Sequence, residues 1–242
     1  MEGGTRYLIR SASRVDPTTD PSLCMIPLQT PITQGTYEVA VAILPNSVYN
    51  ISSTNNTIFF SGTGDYTGTI TAGHYTSSTI ATAVATAMNA VMSGFTVTLD
   101  ANSNKLTFAN ASSFHFSWSR DTTGIGCEKQ LGFQNNTDSA TGTSITAPNA
   151  INLIRSSGII VRFSESSSRV VDSKLSDLGS LYYPIISDWG TMMIYTGQTS
   201  VKQYLTFFQS TSALNIRFYS SDGSPISLLG NDWEMVLSRV NY

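Results

Sequence analysis

Residues 37–44 read YEVAVAIL, and this stretch decides the fold class. Apolar residues fill most of its positions, and three of them are β-branched. β-Branched residues favour strands, and an imperfect alternation of polar and apolar side chains is typical of a strand covered on both faces. Pro45-Asn46 follows and ends the element. The stretch therefore predicts a buried strand in a mainly β protein.

Strand patterns resume in the last third of the chain. The turns between them carry Gly190 and the pair Asp222-Gly223, and an Asp-Gly pair between alternating strands predicts a hairpin. In contrast, the first 31 residues have little periodicity and are interrupted by prolines. We therefore predict an extended N-terminal arm with a short strand near residues 6–10. The strands predicted after the middle of the chain cover 150–154, 158–163, 181–186, 191–196, 204–208, 214–219 and 233–240.

The middle of the chain has a different character, because it contains the one clear helix pattern, over residues 77–92. Ser77 or Ser78 can cap it, and Gly94 ends it. Short strands are predicted on both sides of the helix, so we expect one helix over a small antiparallel sheet. The residues that recur at helical spacing and form the apolar face are Ile80, Val84, Ala87, Met88 and Val91.

These patterns predict a division of the chain into two domains. Residues 1–50 and 150–242 would form a β-sandwich with the N-terminal arm, and residues 51–149 would form an inserted α+β module. Antiparallel sandwiches often join their first and last strands, which favours this arrangement. The alternative is two consecutive domains that meet near Pro148.

The composition points to contacts between proteins. Only 12% of the residues are charged, the net charge is −3, and no basic run is present, so binding to nucleic acid is not favoured. The apolar runs are shorter than the roughly 20 residues that a membrane-spanning helix needs. Cys24 and Cys127 are expected to be buried free thiols, although the sequence leaves their pairing open.

Residues for catalysis or cofactor binding do not form a recognisable pattern. His74 and His115 have no second ligand at metal-binding spacing, and Gly-x-Ser-x-Gly is absent. The acidic and aromatic residues at Asp188-Trp189 and at 232–234 are of the kind found in carbohydrate sites, but each Trp is more simply explained as a core anchor beside a turn. We therefore predict no catalytic residue, no cofactor and no metal.

Three segments in this order resemble a known group of proteins. The first is YEVAVAILPNSVYN at 37–50. The second is the middle module, with ITAGHY at 70–75 before the helix, the hairpin at 95–108 and Leu131-Gly132-Phe133. The third is the C-terminal end, where 214–219, Asp222-Gly223 and 230–237 are predicted as strand, turn, loop and final strand. Together they resemble the penton (vertex) proteins, or related minor capsid proteins, of polinton-type DNA viruses and virophages.

The resemblance implies a jelly-roll-like antiparallel β-sandwich with a small α+β excursion carrying one helix. It implies an icosahedral capsid subunit, assembled with copies of itself (a pentamer is favoured) and in contact with the major capsid protein. No catalytic residue is carried over. Because residues 1–10 lack the apolar stretch of a secretory signal, we expect synthesis in the host cell without a signal peptide, followed by incorporation into the virion.

Two other classes of function remain as alternatives. A trimeric fibre-like or minor capsid protein would bind a receptor or glycan through exposed aromatic residues, for which Tyr182, Tyr183 and Trp189 are the candidates. An enzyme, such as a glycan hydrolase or esterase, would depend on one of the acids. The chain is also short for a penton with a large outward insertion, and its arm matches no motif of the group.

Overall fold

The computed structural model describes residues 5–154, 156–166, 179–196 and 203–240. The chain divides into two compact units. The first contains Met1–Val48 and Ser156–Tyr242, and the second contains Tyr49–Arg155. The sequence predicts boundaries near 50 and 150. Each unit has its own hydrophobic core.

The described residues form short strands with one α-helix among them, so the protein is mainly β. The elements, in chain order, are β1 (Arg6–Arg10), β2 (Leu23–Ile32), β3 (Gly35–Pro45), β4 (Thr57–Ser61), β5 (Asp65–Thr69), α1 (Ile80–Asn89), β6 (Thr96–Leu99), β7 (Leu106–Phe116), β8 (Gly142–Thr146), β9 (Gly158–Phe163), β10 (Gly179–Pro184), β11 (Met192–Thr196), β12 (Tyr204–Phe207), β13 (Thr211–Ser220) and β14 (Glu234–Arg239).

The first unit is an antiparallel sandwich of two sheets with jelly-roll connectivity. One sheet has the order β1-β14-β3-β11, with β12 also on β3, and the other has the order β10-β9-β13-β2. If β11 and β12 are counted as two pieces of one strand, the unit has eight strands. The first then pairs with the eighth, the second with the seventh, the third with the sixth and the fourth with the fifth. This is the pairing that folds a long hairpin into a jelly roll.

Aromatic side chains from both sheets fill the core of the sandwich. Tyr37 of β3 and Phe163 of β9 are fully buried, and Tyr37 makes an edge contact with Phe207 at 5.6 Å. Trp233 is also fully buried, as predicted, with its ring 5.3 Å from that of Phe218. Its indole N–H donates to the carbonyl of Pro21 at 2.8 Å. Burial of these large rings supplies most of what holds the two sheets together.

The prediction of an N-terminal arm is wrong for residues 23–32, which form β2. Pro27 and Pro31 obscure the strand in the sequence, because proline cannot donate to a neighbouring strand. The structure places β2 at the edge of its sheet, paired with β13 alone among the described strands. An edge position tolerates proline, because the missing N–H faces away from the sheet. The short strand predicted near residues 6–10 is confirmed as β1.

The second unit consists of a small antiparallel sheet and the helix. The sheet has the order β5-β4-β7-β6, with β8 also paired to β7. Its core is a cluster of aromatic rings, in which the stacked pair Phe116 and Trp118 lies at 5.4 Å and Phe133 contacts both. The second strand of the hairpin predicted at 95–108 continues beyond it, because residues 106–116 form one long strand, β7.

Helix α1 is shorter than the predicted 77–92. Four of the five predicted face residues are buried, but Val91 lies beyond the last turn and is 42% exposed. The side chain of Asn89, the last residue of the helix, holds the segment that follows. It donates to the carbonyl of Phe95 and accepts from the N–H of the same residue. These two bonds replace a further helical turn.

The tight turn predicted at Asp222-Gly223 is confirmed, but its partner strand is not the final strand of the chain. Gly223 has a φ of 85° and its N–H donates to the carbonyl of Ser220 at 2.9 Å. The turn folds the chain back along the end of β13, where Tyr219 and Pro225 form an antiparallel bridge and the N–H of Ile226 donates to the carbonyl of Phe218 at 3.2 Å. The final strand, β14, pairs with β1 and β3 in the other sheet, so the chain passes between the two layers after this short return.

Candidate interaction surface

The outer face of the sheet β1-β14-β3-β11 carries an apolar band. In each of these strands one set of side chains points into the core, and the alternate set faces outward. The outward positions near the middle of the four strands are apolar. We call them the apolar band: Leu8, Val41, Ile43, Ile194 and Val236.

The register of the strands makes this band continuous. Leu8 pairs with Val236, and Val236 pairs with Val41. In the next row Ile43 pairs with Ile194. The exposed fraction is 49% for Leu8 and 60% for Ile194, and the three residues between them are partly exposed. Apolar side chains that touch across four neighbouring strands form one patch, and such patches mark sites of contact with other proteins.

Charged residues border the band without entering it. In the row that contains Ile43, Arg10 and Glu234 form an ion pair with an N–O distance of 3.1 Å. Both side chains are about half exposed, so the pair contributes little stability. An apolar centre with a polar border is the usual anatomy of a protein interface.

Of the three aromatic residues predicted to lie at the surface, Tyr183 does not. It is 2% exposed and packs against Tyr195 with the ring centroids 4.9 Å apart. Burial raises the pKa of its hydroxyl far above the usual range of tyrosine. Side chains alternate along a strand, so Tyr182 and Tyr183 of β10 cannot both face outward. The inclusion of Tyr183 among the surface candidates is therefore corrected.

Tyr182 is partly exposed and lies on the outer face of the other sheet. Its ring lies over Gly158, its hydroxyl is 3.2 Å from that of Ser157, and its backbone N–H donates to the side chain of Gln203 at 2.6 Å. Its side chain is thus held by the neighbouring strand of its own sheet, its backbone is bonded to the residue that precedes β12 of the other sheet, and 38% of its surface remains accessible.

Trp189 lies in the loop between β10 and β11 and is 41% exposed. Asn46 holds this loop, since its side-chain amide donates to the carbonyl of Ser187 and its own carbonyl accepts from Gly190, both at 2.7 Å. Ile186 of the same loop is 64% exposed. The aromatic candidates therefore divide between the core, a sheet face and a loop.

The acids that resemble a carbohydrate site have structural partners. Asp232 accepts hydrogen bonds from Ser11 at 2.7 Å and Arg14 at 2.8 Å, and Glu234 pairs with Arg10. Among the described residues, no three His, Cys, Asp or Glu side chains are placed to hold a metal ion. His74 has its pKa lowered by burial.

Both cysteines are free and buried, Cys24 in the first unit and Cys127 in the second. Burial raises the pKa of Cys24 to about 11. Complete burial raises the pKa of Cys127 further, and the negative charges of Glu128 and Asp121 add to the rise. Thiols of this kind are unreactive in the folded protein.

In the described part of the chain, no helix has the length and apolar character needed to cross a membrane.

Comparisons with known proteins find similarity in structure and none in sequence. No family model matches the chain, and no curated protein matches it. The crystal structure of the mavirus penton protein is similar over 98% of both chains, with 11% identity and a TM-score of 0.47. A chain of the Sputnik virophage structure, solved by electron cryomicroscopy, is similar over 99% of this chain and 98% of its own, with 12% identity and a TM-score of 0.42.

The resemblance of the sequence to penton and related minor capsid proteins leads to a prediction of the fold that the strand order tests directly. The jelly-roll-like sandwich with an α+β excursion, predicted from that resemblance, is confirmed by the strand order itself. The apolar band was not predicted. Its signal in the sequence was the run MMIYT at 192–196, where successive apolar residues fill both faces of one strand.

Proposed function

We propose that this protein is a virion structural protein, an icosahedral vertex (penton) subunit that assembles with copies of itself. The observation that carries the proposal is the apolar band on the outer face of a jelly-roll sheet. We further propose that the subunit forms a pentamer and contacts the neighbouring major capsid protein.

The chemistry of the surface supports assembly. Obligate contacts between subunits bury on the order of 2,000 Å² or more, and charge is depleted at their centres. Leu8 and Ile194 lie on different strands of one sheet, and both are about half exposed or more. Burying the band against another subunit would stabilise an assembly by about 25 cal/mol for each Å² of apolar surface removed from water. The low charge of the whole chain, 12%, fits the same role.

A fibre-like or minor capsid protein that binds a receptor or glycan is the second candidate. It is favoured by the loop that holds Trp189 and Ile186 at the surface, because three hydrogen bonds tie this loop to one residue, Asn46. A rigid loop with an exposed indole ring can stack on a sugar or fill a pocket. In that case we expect a trimer, and Trp189→Ala would abolish receptor binding while leaving the trimer intact.

The decisive experiment is the mass of the purified protein in solution, by light scattering coupled to size exclusion. The wild-type protein is expected to be a pentamer. Ile194→Asp places a charge in the band and is expected to give monomers. Ile186→Asp is the matched control, because it makes the same change at a residue of similar exposure, 64% against 60%, outside the band.

The outcomes separate the candidates. A pentamer lost in Ile194→Asp and kept in Ile186→Asp supports the vertex role. A trimer favours the fibre-like role. A monomeric wild-type protein at high concentration, or a pentamer that Ile194→Asp leaves unchanged, contradicts assembly through the band. Circular dichroism and thermal unfolding of both variants verify that each is folded.

A further inference from the structure

Strand β1 has an open edge. It pairs with β14 alone among the described strands. The carbonyl of Thr5 accepts from the N–H of Arg239 at 3.1 Å, and the N–H of Ser11 donates to the carbonyl of Trp233 at 3.0 Å. Because bonding directions alternate along an antiparallel strand, the backbone groups of the residues between, at the even positions, point away from β14. These positions are Arg6, Leu8 and Arg10.

The neighbouring edge strand, β2, is closed by contrast. Pro27 and Pro31 have no N–H to offer. The carbonyl of Met25 is occupied by the N–H of Val15 at 2.9 Å, and that of Pro31 accepts from the hydroxyl of Tyr7 at 3.0 Å. Proline and capping contacts of this kind protect a sheet edge from further pairing. Of the two adjacent edges, β1 is the one that can accept another strand.

A groove lies between these two edges and is large enough for an extended peptide. Its volume is about 730 Å³, and Ile9 and Ile26, both buried in the core, contribute to its lining. Its lining residues include Arg6 and Arg10 and no acidic side chain. The groove is therefore apolar at its base and lined by two basic side chains along the open edge. Arg10 already pairs with Glu234 of β14 through its Nε at 3.1 Å, and the guanidinium has further N–H donors with which it can bind a second carboxylate.

The outward residues of β1 specify the chemistry of a strand that would pair with it. Arg6, Leu8 and Arg10 alternate on one face, and a paired strand places a side chain directly opposite each. Opposite charges on directly facing residues stabilise the pairing of two strands, and like charges destabilise it. The complementary strand carries acid, apolar and acid residues at alternate positions, and its apolar residue would extend the apolar band beside Leu8.

A second copy of this chain does not meet this requirement. Antiparallel pairing of two β1 strands centred on Leu8 would set Arg6 of one copy against Arg10 of the other. Elsewhere in the sequence, two acids separated by four positions occur once, at Asp16 and Asp20, and the residue between them is Thr18, which is polar. The occupant is therefore another protein.

We propose that the β1 edge is a docking site for an extended segment of a partner protein with the pattern acid-x-apolar-x-acid, which adds to the sheet as a strand. The proposal concerns a foreign partner and does not depend on the oligomer formed through the band. Its test therefore uses a binding readout and not the mass of the assembly.

The experiment measures binding of two labelled peptides, TETVTET and TKTVTKT, to the full chain by fluorescence anisotropy at low salt. The acidic peptide is expected to bind at least about tenfold more tightly, because it reverses two charge contacts at once. In the double variant Arg6→Glu, Arg10→Glu the preference is expected to reverse. Amide hydrogen exchange at Leu8 is expected to slow when the acidic peptide is bound, since a docked strand occupies that N–H.

Two proline variants provide the matched control. Leu8→Pro removes an N–H that points to the open edge, and should abolish peptide binding while keeping the fold. Met25→Pro makes the same change on the closed edge, where the N–H also points away from the sheet, and should leave binding unchanged. Equal binding of both peptides, no binding of either, or binding that survives in a folded Leu8→Pro variant would overturn the proposal. In those cases the arginines merely protect the edge from aggregation.

Discussion

The ring of Tyr182 lies across the backbone of Gly158 on the neighbouring strand, so closely that a Cβ atom on Gly158 would be 2.5 Å from the ring carbons. The aromatic side chain covers the glycine and replaces the packing that a side chain there would have provided. This contact explains both why a glycine is tolerated at the first position of β9 and why Tyr182 is only partly exposed.

We predict that Gly158→Ala destabilises the sandwich by about 1–3 kcal/mol, because the new methyl group must displace the ring of Tyr182. Chemical denaturation with a double-mutant cycle checks this. Tyr182→Ala in the same protein should relieve the clash, so the two changes together should cost less than the sum of the two alone. Additive costs would mean that the ring and the glycine do not interact.

Trp233→Ala is expected to destabilise the first unit by about 3–5 kcal/mol, because it removes a fully buried ring and the hydrogen bond to Pro21. Trp189→Ala is the matched control, with the same change at a residue 41% exposed. It should alter stability by no more than about 0.5 kcal/mol. Urea unfolding followed by circular dichroism measures both. Similar costs for the two variants would refute the role of Trp233 as a core anchor.

Acid is expected to weaken the second unit through Asp121. Burial acts to raise the pKa of this carboxyl, but hydrogen bonds from the backbone N–H groups of Gly126, Thr123 and Gly124 outweigh it and lower the pKa. A carboxyl whose pKa is lower in the folded state stabilises the protein above its unfolded pKa, here about 3.8. That stability is lost as the pH falls through the lower, folded value.

Asp121→Asn should therefore cost about 2–3 kcal/mol at pH 7, where the charged hydrogen bonds are lost, and much less at pH 2. Thermal unfolding of residues 49–155 between pH 2 and pH 7 measures the difference. Asp100→Asn is the control in the same unit, because Asp100 is exposed and organises a surface turn with Ser103. A constant difference between wild type and Asp121→Asn at all pH values would contradict this account.

The division of the chain into two domains leads to a deletion experiment. The two hydrophobic cores share no residue. Replacing residues 49–155 by a short Gly-Ser linker is expected to leave a sandwich that unfolds cooperatively, and residues 49–155 alone should fold as well. Circular dichroism and thermal melting check both products. If neither melts cooperatively, the two units depend on one another for stability.

The sequence predicted the features that depend on local chemistry. YEVAVAIL became β3, at the centre of its sheet, and the Ala-rich segment became α1. The prediction of an arm failed at β2, because its prolines indicate a loop unless the strand is known to lie at an edge. The turn at Asp222-Gly223 was predicted from its residues, but a tight turn does not reveal that the final strand, β14, joins the other sheet after the short return along β13.

The candidate interaction surface was harder to predict than the fold, because it depends on which strands pair and in which register. Leu8, Val236 and Val41 are far apart in the sequence, as are Ile43 and Ile194, and the pairing within each of these two rows follows from the register of four strands. Tyr182 and Tyr183 show the same limit, since which of two adjacent aromatic residues faces the core depends on the orientation of the strand.

The connectivity of the sandwich also sets the order in which the two units can fold while the chain is being synthesised. Among the described strands, β1, β2 and β3 pair only with strands that begin at Met192 or later. At about 5–20 residues per second, the ribosome needs on the order of ten to thirty seconds to supply these partners. The second unit, whose strands pair among themselves, is completed in the meantime. Because Val236 lies between Leu8 and Val41, the apolar band becomes continuous only after β14 has been made, and an assembly through the band, as proposed above, would therefore exclude unfinished chains.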